Sequence, residues 1–507
     1  MSTSTDVDHR RLSNVMGAAN NPTPHKLPDG ENAKPLEVAG STATDSLIIV
    51  MVGLPATGKT HIARRICRFL NFFHNIPTRI FNVGDYRRQL VGAKQPASFY
   101  DPENKEALAL RTAACNSALQ DLTSYMKQDG VRVGLYDATN STKERRKHLK
   151  TSVKNIGAKV MFIESICMNT AILEENIRTV KLGTPDYEGV DPEEAVADFK
   201  ARRETYNKYY APLEDHEGSY IKMYDCKKFV VNNVRGYLPS KVIHFCMNLH
   251  TLPRTFYLSR HGQSEYNVLG KIGGDSSLSA NGVEYARRLA KFAEETIAFK
   301  VENNEDGTEE KTEVPCRLWT STLKRTKETA QFILHPSKSF KWDNDEEIEW
   351  CQFRPMARQN LDEIYAGTCD GMTYKEIQQY LPKEFAARQK DKLAYRYPRG
   401  ESYMDVILRL EPLAHELERT REPVLIVGHQ GIHRIIYAYF MGLRREEAPY
   451  VSIPLNTVIK LTPHAYGCVQ ERICLMDKKE MLFDGQDEPV TSMPVPSDLN
   501  TLDPPSH

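Results

Sequence analysis

Thr255-Phe256-Tyr257-Leu258-Ser259-Arg260-His261-Gly262 is an apolar run of strand length that stops at an imidazole set between a guanidinium and a glycine. A strand that ends this way presents a nucleophile, an anion clamp and open backbone space at one edge of a sheet, which suits phosphoryl capture. So short a triplet also fits a surface histidine in a turn. The rest of the chain favours the first reading: a second apolar run, Val424 to Val427, enters Gly428-His429-Gln430-Gly431, and between the two Trp319-Thr320-Ser321 leads to Arg325.

A different phosphate device lies upstream. Leu47-Ile48-Ile49-Val50-Met51-Val52 is a continuous apolar run, the signature of a strand buried on both faces, and Gly53-Leu54-Pro55-Ala56-Thr57-Gly58-Lys59-Thr60 follows at once. This is G-x-x-x-x-G-K-T between a strand and a helical stretch starting at His61, the context in which it forms a phosphate-binding loop. Its glycines turn backbone N–H groups toward phosphate oxygens, Lys59 reaches the outer phosphates, and the Thr60 hydroxyl is placed for Mg2+. Val131 to Tyr136 reads as another strand and ends in Asp137-Ala138-Thr139-Asn140. An acid there can serve the metal or an attacking hydroxyl, or cap the helix beginning near Thr142. Arg87, Arg111, Arg145, Lys181 and Arg202 recur along the same half. Singly each fits a solvated helix face; beside a phosphate loop they point to an acceptor that itself carries a phosphate.

The 507 residues, 40% of them hydrophobic, can bury more than one core. Lys plus Arg and Asp plus Glu both number 67, so no global field points to nucleic acid or to an anionic membrane. The ten cysteines form no CxxC pair, the chain opens without a basic segment followed by an apolar run, and no apolar stretch approaches the ~20 residues of a membrane span. The expectation is a reduced, soluble, cytoplasmic protein. Residues 1–45 and 476–507 have the polar, Pro- and Gly-containing composition of disordered tails. Arg10-Arg11-Leu12-Ser13 makes Ser13 a candidate site for a basophilic protein kinase.

The ordered runs GLPATGKT, FNVGDYRR, DATNSTKERR, FIESIC and VKLGTPDY are followed by LSRHGQSEYN, KIGGDSSLS, TLKRTKETA, LDEIYAGTCDGMTYKEI, YRYPRGESY and GHQGIHR. Together they closely resemble the bifunctional 6-phosphofructo-2-kinase/fructose-2,6-bisphosphatase family over about residues 46–475. The resemblance implies a P-loop kinase domain with a mainly parallel sheet at 46–250 and a histidine-phosphatase, phosphoglycerate mutase-like α/β domain at 251–475. The first would phosphorylate fructose 6-phosphate at C2 with ATP and Mg2+, and the second would remove that phosphate, so the pair would regulate glycolysis against gluconeogenesis. A homodimer is also implied.

By the same resemblance the ATP site falls to Gly53, Leu54, Pro55, Ala56, Thr57, Gly58, Lys59 and Thr60, with Asn176 and Lys181 nearby. Fructose 6-phosphate falls to Arg87, Arg111, Thr139, Arg145, Lys181, Arg202 and Tyr206. Asp137 matches the catalytic aspartate and, with Thr60, the Mg2+ position. Cys167 matches a cysteine of that site, although a cysteine closing an apolar strand usually serves core packing. In the second half His261 matches the nucleophile, Arg260, Arg325 and His429 the phosphoryl clamp, and Glu363 the proton donor. Asn267 and Gly273 match residues near the reacting phosphate, while Tyr374, Arg388, Lys392, Tyr403, Gln430 and Arg434 match those holding the rest of fructose 2,6-bisphosphate.

The chain departs from the family pattern in places. Thr57 stands where vertebrate members typically have arginine, Gln263 where glutamate is common, and Gly428 and Gly431 where Cys and Ala are frequent. The glutamine is expected to leave the phosphatase pocket one negative charge poorer. Two hydrophilic insertions, 301–310 and about 335–349, are expected to be surface loops that serve neither activity. One silent half, leaving a net kinase, or a pseudoenzyme scaffold would predict losses among Lys59, Asp137, His261 or His429, and all are present. A kinase and phosphatase acting on nucleic-acid ends would call for a basic excess that the composition lacks.

Overall fold

The computed structural model describes residues 46–101, 103–178, 185–250, 254–303, 309–341, 347–464 and 467–477. Both expected tails up to residue 45 and beyond 477, Ser13 and Lys181 lie outside the described residues.

The apolar run after Ser46 becomes β1 (Leu47–Val52), whose side chains are all buried. It forms one six-stranded sheet with β2 (Thr78–Asn82), β3 (Val133–Asp137), β4 (Lys159–Ile166), β5 (Ser219–Tyr224) and β6 (Lys228–Asn232), in the order β2-β3-β1-β4-β5-β6. Every pairing is parallel except β5 with β6. A strand with a parallel neighbour on each side needs helices on both faces, and the alternation of its residues delivers them. Ile49 and Met51 pack with Ile62, Ile66 and Phe69 of helix Lys59–His74. Ile48, Val50 and Val52 pack on the opposite face with Leu119 and Leu122 of helix Lys105–Met126 and Leu149 of helix Lys143–Ser152.

A second six-stranded sheet follows. Its members are β7 (Phe256–Arg260), β10 (Arg317–Thr320), β13 (Arg354–Ala357), β14 (Val424–Gly428), β15 (Thr457–Pro463) and β16 (Cys468–Cys474), in the order β13-β10-β14-β7-β15-β16. The adjacent β7 and β14 run parallel with Arg260 opposite Gly428, so both histidine-bearing ends emerge side by side. Beyond β16, Met476 is buried against Tyr257, Tyr285 and Val458. Among the described residues no helix is long and apolar enough to cross a membrane.

The insertions expected to be loops are hairpins instead. The strands β8 (Phe299–Asn303) and β9 (Glu309–Glu313) pair antiparallel, as do β11 (Ser337–Lys341) and β12 (Glu347–Cys351). Polar composition alone read as loop, but each arm carries an apolar anchor. Phe299 packs on the core of the second half, Phe340 is buried, and the Trp350 indole N–H donates to the Cys316 carbonyl at 3.4 Å.

The two halves also share apolar surface. Phe69 and Phe73 lie in one cluster with Leu410, Ala414 and Tyr439, and Phe73 and Tyr439 have ring centroids 4.9 Å apart.

Candidate active sites

The loop after β1 is shaped by backbone conformations that a side chain would block. Gly53 sits at φ 140°, and a Cβ there would lie 2.4 Å from the Ser165 carbonyl oxygen; Gly58, at φ 83°, opens helix Lys59–His74 without any side-chain cap. An uncapped helix start behind a turn of backbone N–H groups is an anion cradle. Lys59 Nζ donates to the Leu54 carbonyl at 2.5 Å across the loop, and Thr57 Oγ1 donates to the same oxygen at 3.0 Å. Asn176 Nδ2 reaches the Ala56 carbonyl at 3.3 Å and Arg203 Nη1 the Pro55 carbonyl at 2.6 Å. Arg203 was not among the residues read from sequence.

Because β3 is the parallel neighbour of β1, its last residue arrives beside the loop. Asp137 is buried and its Oδ2 accepts from Thr60 Oγ1 and from Asn82 Nδ2, each at 2.7 Å. A hydroxyl and a carboxylate oxygen meeting beside a phosphate cradle fit a Mg2+ ion, which usually takes one or two protein oxygens and completes its shell with water and substrate phosphate. Among the described residues no group of three or more His, Cys, Asp and Glu side chains is arranged to hold a metal unaided. Cys167, just past β4, is half-buried, and burial together with Asp225 pushes its thiol up to about 11. It is therefore a neutral contact rather than a thiolate.

The basic residues of this half converge. Arg87 is buried, binds the Asp186 carboxylate at 2.6 and 2.8 Å, and donates to the Tyr100 hydroxyl. Arg111 donates to the carbonyls of Tyr100 at 2.6 Å and Asp101 at 3.0 Å. The Arg202 guanidinium carbon lies 3.6 Å from the Tyr100 ring centroid, and the Tyr206 ring is 6.0 Å from it. Arg145 bonds Asn140 Oδ1 at 3.2 Å and Cys115 Sγ, while the Thr139 carbonyl accepts from Gly53 N at 3.0 Å. The Nε–H groups of Arg87, Arg111 and Arg202 are buried without an acceptor. Clustered guanidinium groups with unspent donors are costly unless an anion joins them.

In the second half, His261 Nδ1 lies 2.7 Å from the Gly262 carbonyl oxygen. A carbonyl only accepts, so Nδ1 carries the proton and the neutral ring keeps its lone pair on Nε2. Burial, then Arg325 and Arg260, hold the imidazole well below its usual range, so that ring is neutral near pH 7. Gly262 is needed because a Cβ would stand 2.4 Å from the Gly282 carbonyl oxygen, and its own N–H is held by Thr329 Oγ1 at 2.9 Å. The His429 ring centroid is 5.2 Å from that of His261; its Nε2 pairs with Ser321 Oγ at 2.8 Å and its Nδ1 is buried without a partner. Burial, followed by Arg325 and His261, also pushes this imidazole well down. Arg260 donates to the Ile453 carbonyl at 2.9 Å and Arg325 to the Gly274 carbonyl at 2.6 Å. Glu363 accepts from Gly431 N at 3.2 Å and from Ile364 N at 2.9 Å, so the first turn of the helix that follows His429 holds its carboxylate.

Gly273, at φ 70°, lies against Asp370, whose carboxylate a Cβ would overlap at 1.7 Å. Asn267 spends its Oδ1 on Ser264 N and Oγ, each at 3.0 Å, in a capping box. Arg388 bridges the Tyr374 hydroxyl at 2.8 Å and the Tyr397 hydroxyl at 2.9 Å. Arg434 links the Tyr403 hydroxyl at 3.1 Å to the Val451 carbonyl at 2.8 Å. Lys392 faces the Tyr450 ring at 5.6 Å, and Gln430 opens the helix that follows His429.

Gln263 has partners of its own. Its side chain is buried, and its Oε1 accepts from Ser279 Oγ at 2.9 Å and Asn281 Nδ2 at 3.0 Å, at the start of helix Ala280–Phe292. Its amide oxygen thus serves the start of the helix that Gly262 packs against. Ser321, Asn82 and Asp186 hold His429, Asp137 and Arg87, and Thr329 holds the Gly262 N–H, but none had an assigned role from sequence. Asp186 could have been found, since it lies within VKLGTPDY.

The family model for 6-phosphofructo-2-kinase matches residues 37–253, and that for the histidine phosphatase superfamily (branch 1) matches residues 256–475. A Gallus gallus 6-phosphofructo-2-kinase/fructose-2,6-bisphosphatase is 43% identical over 432 residues, covering 84% of each chain. Homo sapiens 6-phosphofructo-2-kinase/fructose-2,6-bisphosphatase 1 matches with the same identity and the same coverage of both chains, and the Rattus norvegicus enzyme numbered 3 is 42% identical over 84% of this chain and 72% of its own. With a phosphate cradle in one half, paired strand-end histidines in the other and relatives that span both, this chain belongs to the 6-phosphofructo-2-kinase/fructose-2,6-bisphosphatase family.

Proposed function

We propose that the chain makes and removes fructose 2,6-bisphosphate at separate sites, using ATP as phosphoryl donor in the first half and water as acceptor in the second. The observation that carries this reading is the pairing of two complete devices in one chain: the Gly53–Thr60 cradle beside Asp137, and His261 with a free Nε2 lone pair beside His429 and two arginines.

In the kinase half Lys59 and the loop N–H groups orient the nucleotide phosphates, and Thr60 and Asp137 would hold Mg2+. The bound ion would offset negative charge on the transferring phosphoryl group. Arg87, Arg111, Arg145 and Arg202 bind the 6-phosphate and direct the 2-hydroxyl toward the cradle, with Asp137 placed to accept its proton. In the phosphatase half Nε2 of His261 attacks the 2-phosphorus, forming the N–P bond as the bond from phosphorus to O2 breaks. Arg260, Arg325 and His429 stabilise the phosphoryl oxygens, and Glu363 gives its proton to O2. In the second step Glu363 takes a proton from water, the hydroxide oxygen bonds phosphorus, and His261 departs with its lone pair. A homodimer acting in the cytoplasm is part of the same proposal, supported by the family alone.

Both activities measured on one preparation test the reading. Lys59→Met is expected to abolish fructose 2,6-bisphosphate synthesis and spare its hydrolysis; His261→Ala is expected to do the reverse and to abolish acid-labile labelling by 2-32P substrate. Loss of both activities in either variant would overturn the two-site assignment.

A further inference from the structure

Tyr100 closes a short 3-10 turn, Ala97–Tyr100, and is 2% exposed. It meets the basic cluster through three different parts of itself. Its hydroxyl accepts from Arg87 Nη1, its ring face lies under the Arg202 guanidinium at 3.6 Å, and its carbonyl accepts from Arg111 Nη1 at 2.6 Å. Its ring is also 6.0 Å from that of Tyr206. Three of the residues assigned to fructose 6-phosphate, Arg87, Arg202 and Tyr206, therefore touch or neighbour this one side chain, and a fourth, Arg111, holds the backbone of the same residue. Asp186 holds the other end of Arg87 at 2.6 and 2.8 Å, so the hydroxyl and the carboxylate together fix both terminal nitrogens of that guanidinium.

We infer that Tyr100 is a positioning residue of the kinase, the common support that sets the spacing of Arg87, Arg111 and Arg202 for a sugar phosphate. The inference rests on the reading of this cluster as the fructose 6-phosphate site. Three like charges packed this closely repel one another, and a clamp for a single phosphate works only if each guanidinium is held in place before the ligand arrives. A phenol suits the task because it offers an acceptor oxygen and an electron-rich face without adding a negative charge that would compete with the ligand. Burial raises the phenol's pKa, the two arginines oppose that rise, and the group remains neutral near pH 7.

The test uses the full chain with Tyr100→Phe, which keeps the ring and removes only the acceptor for Arg87, and Tyr100→Leu, which removes the ring face as well. Tyr100→Phe is expected to raise KM for fructose 6-phosphate about tenfold, the scale of one hydrogen bond to a charged group, with kcat and KM for ATP within about twofold of the parent. Tyr100→Leu is expected to raise it about fivefold more, as a stacked guanidinium is released. Fructose 2,6-bisphosphate hydrolysis on the same preparations is expected to be unchanged and serves as the folding control. An unchanged KM for fructose 6-phosphate in Tyr100→Phe, with Arg87→Ala raising it, would overturn the inference and leave the site reading standing. A parallel fall in kcat, ATP affinity and hydrolysis would overturn it in favour of a purely structural role. An unchanged KM in Arg87→Ala would overturn the site reading and the inference together.

Discussion

Gly431 is spaced by the side chain it faces. A Cβ there would lie 2.6 Å from Glu363 Oε1 and 3.7 Å from Ile364 Cγ2, so an alanine would push the carboxylate off its position. Gly431→Ala is expected to slow hydrolysis of fructose 2,6-bisphosphate roughly tenfold, a fraction of the 10²–10⁴-fold that a positioned proton donor contributes, without changing the kinase. Steady-state kcat on both substrates checks this, and equal hydrolysis rates in parent and variant would mean that Glu363 relaxes freely. The buried imidazoles set a second expectation. Burial holds His433 down to about 4, and burial with Arg325 holds His261 and His429 well below their usual range. A base whose folded pKa is depressed binds fewer protons than the unfolded chain once pH drops below about 6.5, so these groups cost nothing above that pH and progressively more below it. Each contributes at most about 1.4 kcal/mol per pH unit. Stability in urea is expected to be level from pH 8 to about 7 and to fall between about 6.5 and 4, with a shallower slope in His433→Gln. A slope that the substitution leaves untouched would remove His433 from the account.

The hairpin β8–β9 hangs from Phe299 at one end and Val314 beyond the other, both packed on the core of the second half, and no described contact joins it to His261, Glu363 or His429. Replacing residues 302–310 with an Asn-Gly turn is therefore expected to leave both kcat values within about twofold, since shortening a surface connection changes loop entropy only slightly. Loss of hydrolysis would show that the arm supports the phosphatase site. The contrast between this hairpin and the phosphate loop explains what the sequence could and could not disclose. Gly53 and Gly58 are required by local backbone geometry, and two strands ending in histidine need only a parallel pairing to bring those histidines together, so both devices were legible. The hairpins were not, because their polar residues read as loop and their anchors, Phe340 and Trp350, act only against the folded body. Tyr100 was hidden for a related reason, since Arg202 reaches its ring only in the folded body; Asp186 lies within a legible run, but its partner Arg87, 99 positions away, is a convergence no local pattern encodes. The partners of Gln263 were not legible either, because they depend on the close approach of helix Ala280–Phe292 to Gly262, which turns that side chain to the helix start.

The two halves are joined by a buried charge as well as by apolar packing. Glu418, in helix Tyr403–Arg419, is fully buried and receives Arg65 from the first half and Arg254 from the entry to the second, with the Tyr439 hydroxyl at 2.8 Å and Arg68 at 3.8 Å. Arg65 also donates to the His250 carbonyl at 3.1 Å, tying the same guanidinium to the connection between the halves. A network of this kind gains little over apolar packing while intact, because desolvation offsets much of the attraction, but removing the one anion strands two buried guanidinium groups. Glu418→Gln keeps the shape and removes only the charge, and is expected to cost about 3–5 kcal/mol. Because Arg65 lies in the helix that follows the phosphate loop, and Glu418 in the helix whose C-terminal end precedes β14, the loss should be felt at both active sites. The temperatures at which kinase and phosphatase activities are half lost on brief heating are expected to fall together in the variant. A fall in only one of them would mean that Glu418 stabilises its own half and that the seam is held without it, by the Phe69, Phe73 and Tyr439 packing and contacts such as Arg68 with the Phe440 carbonyl.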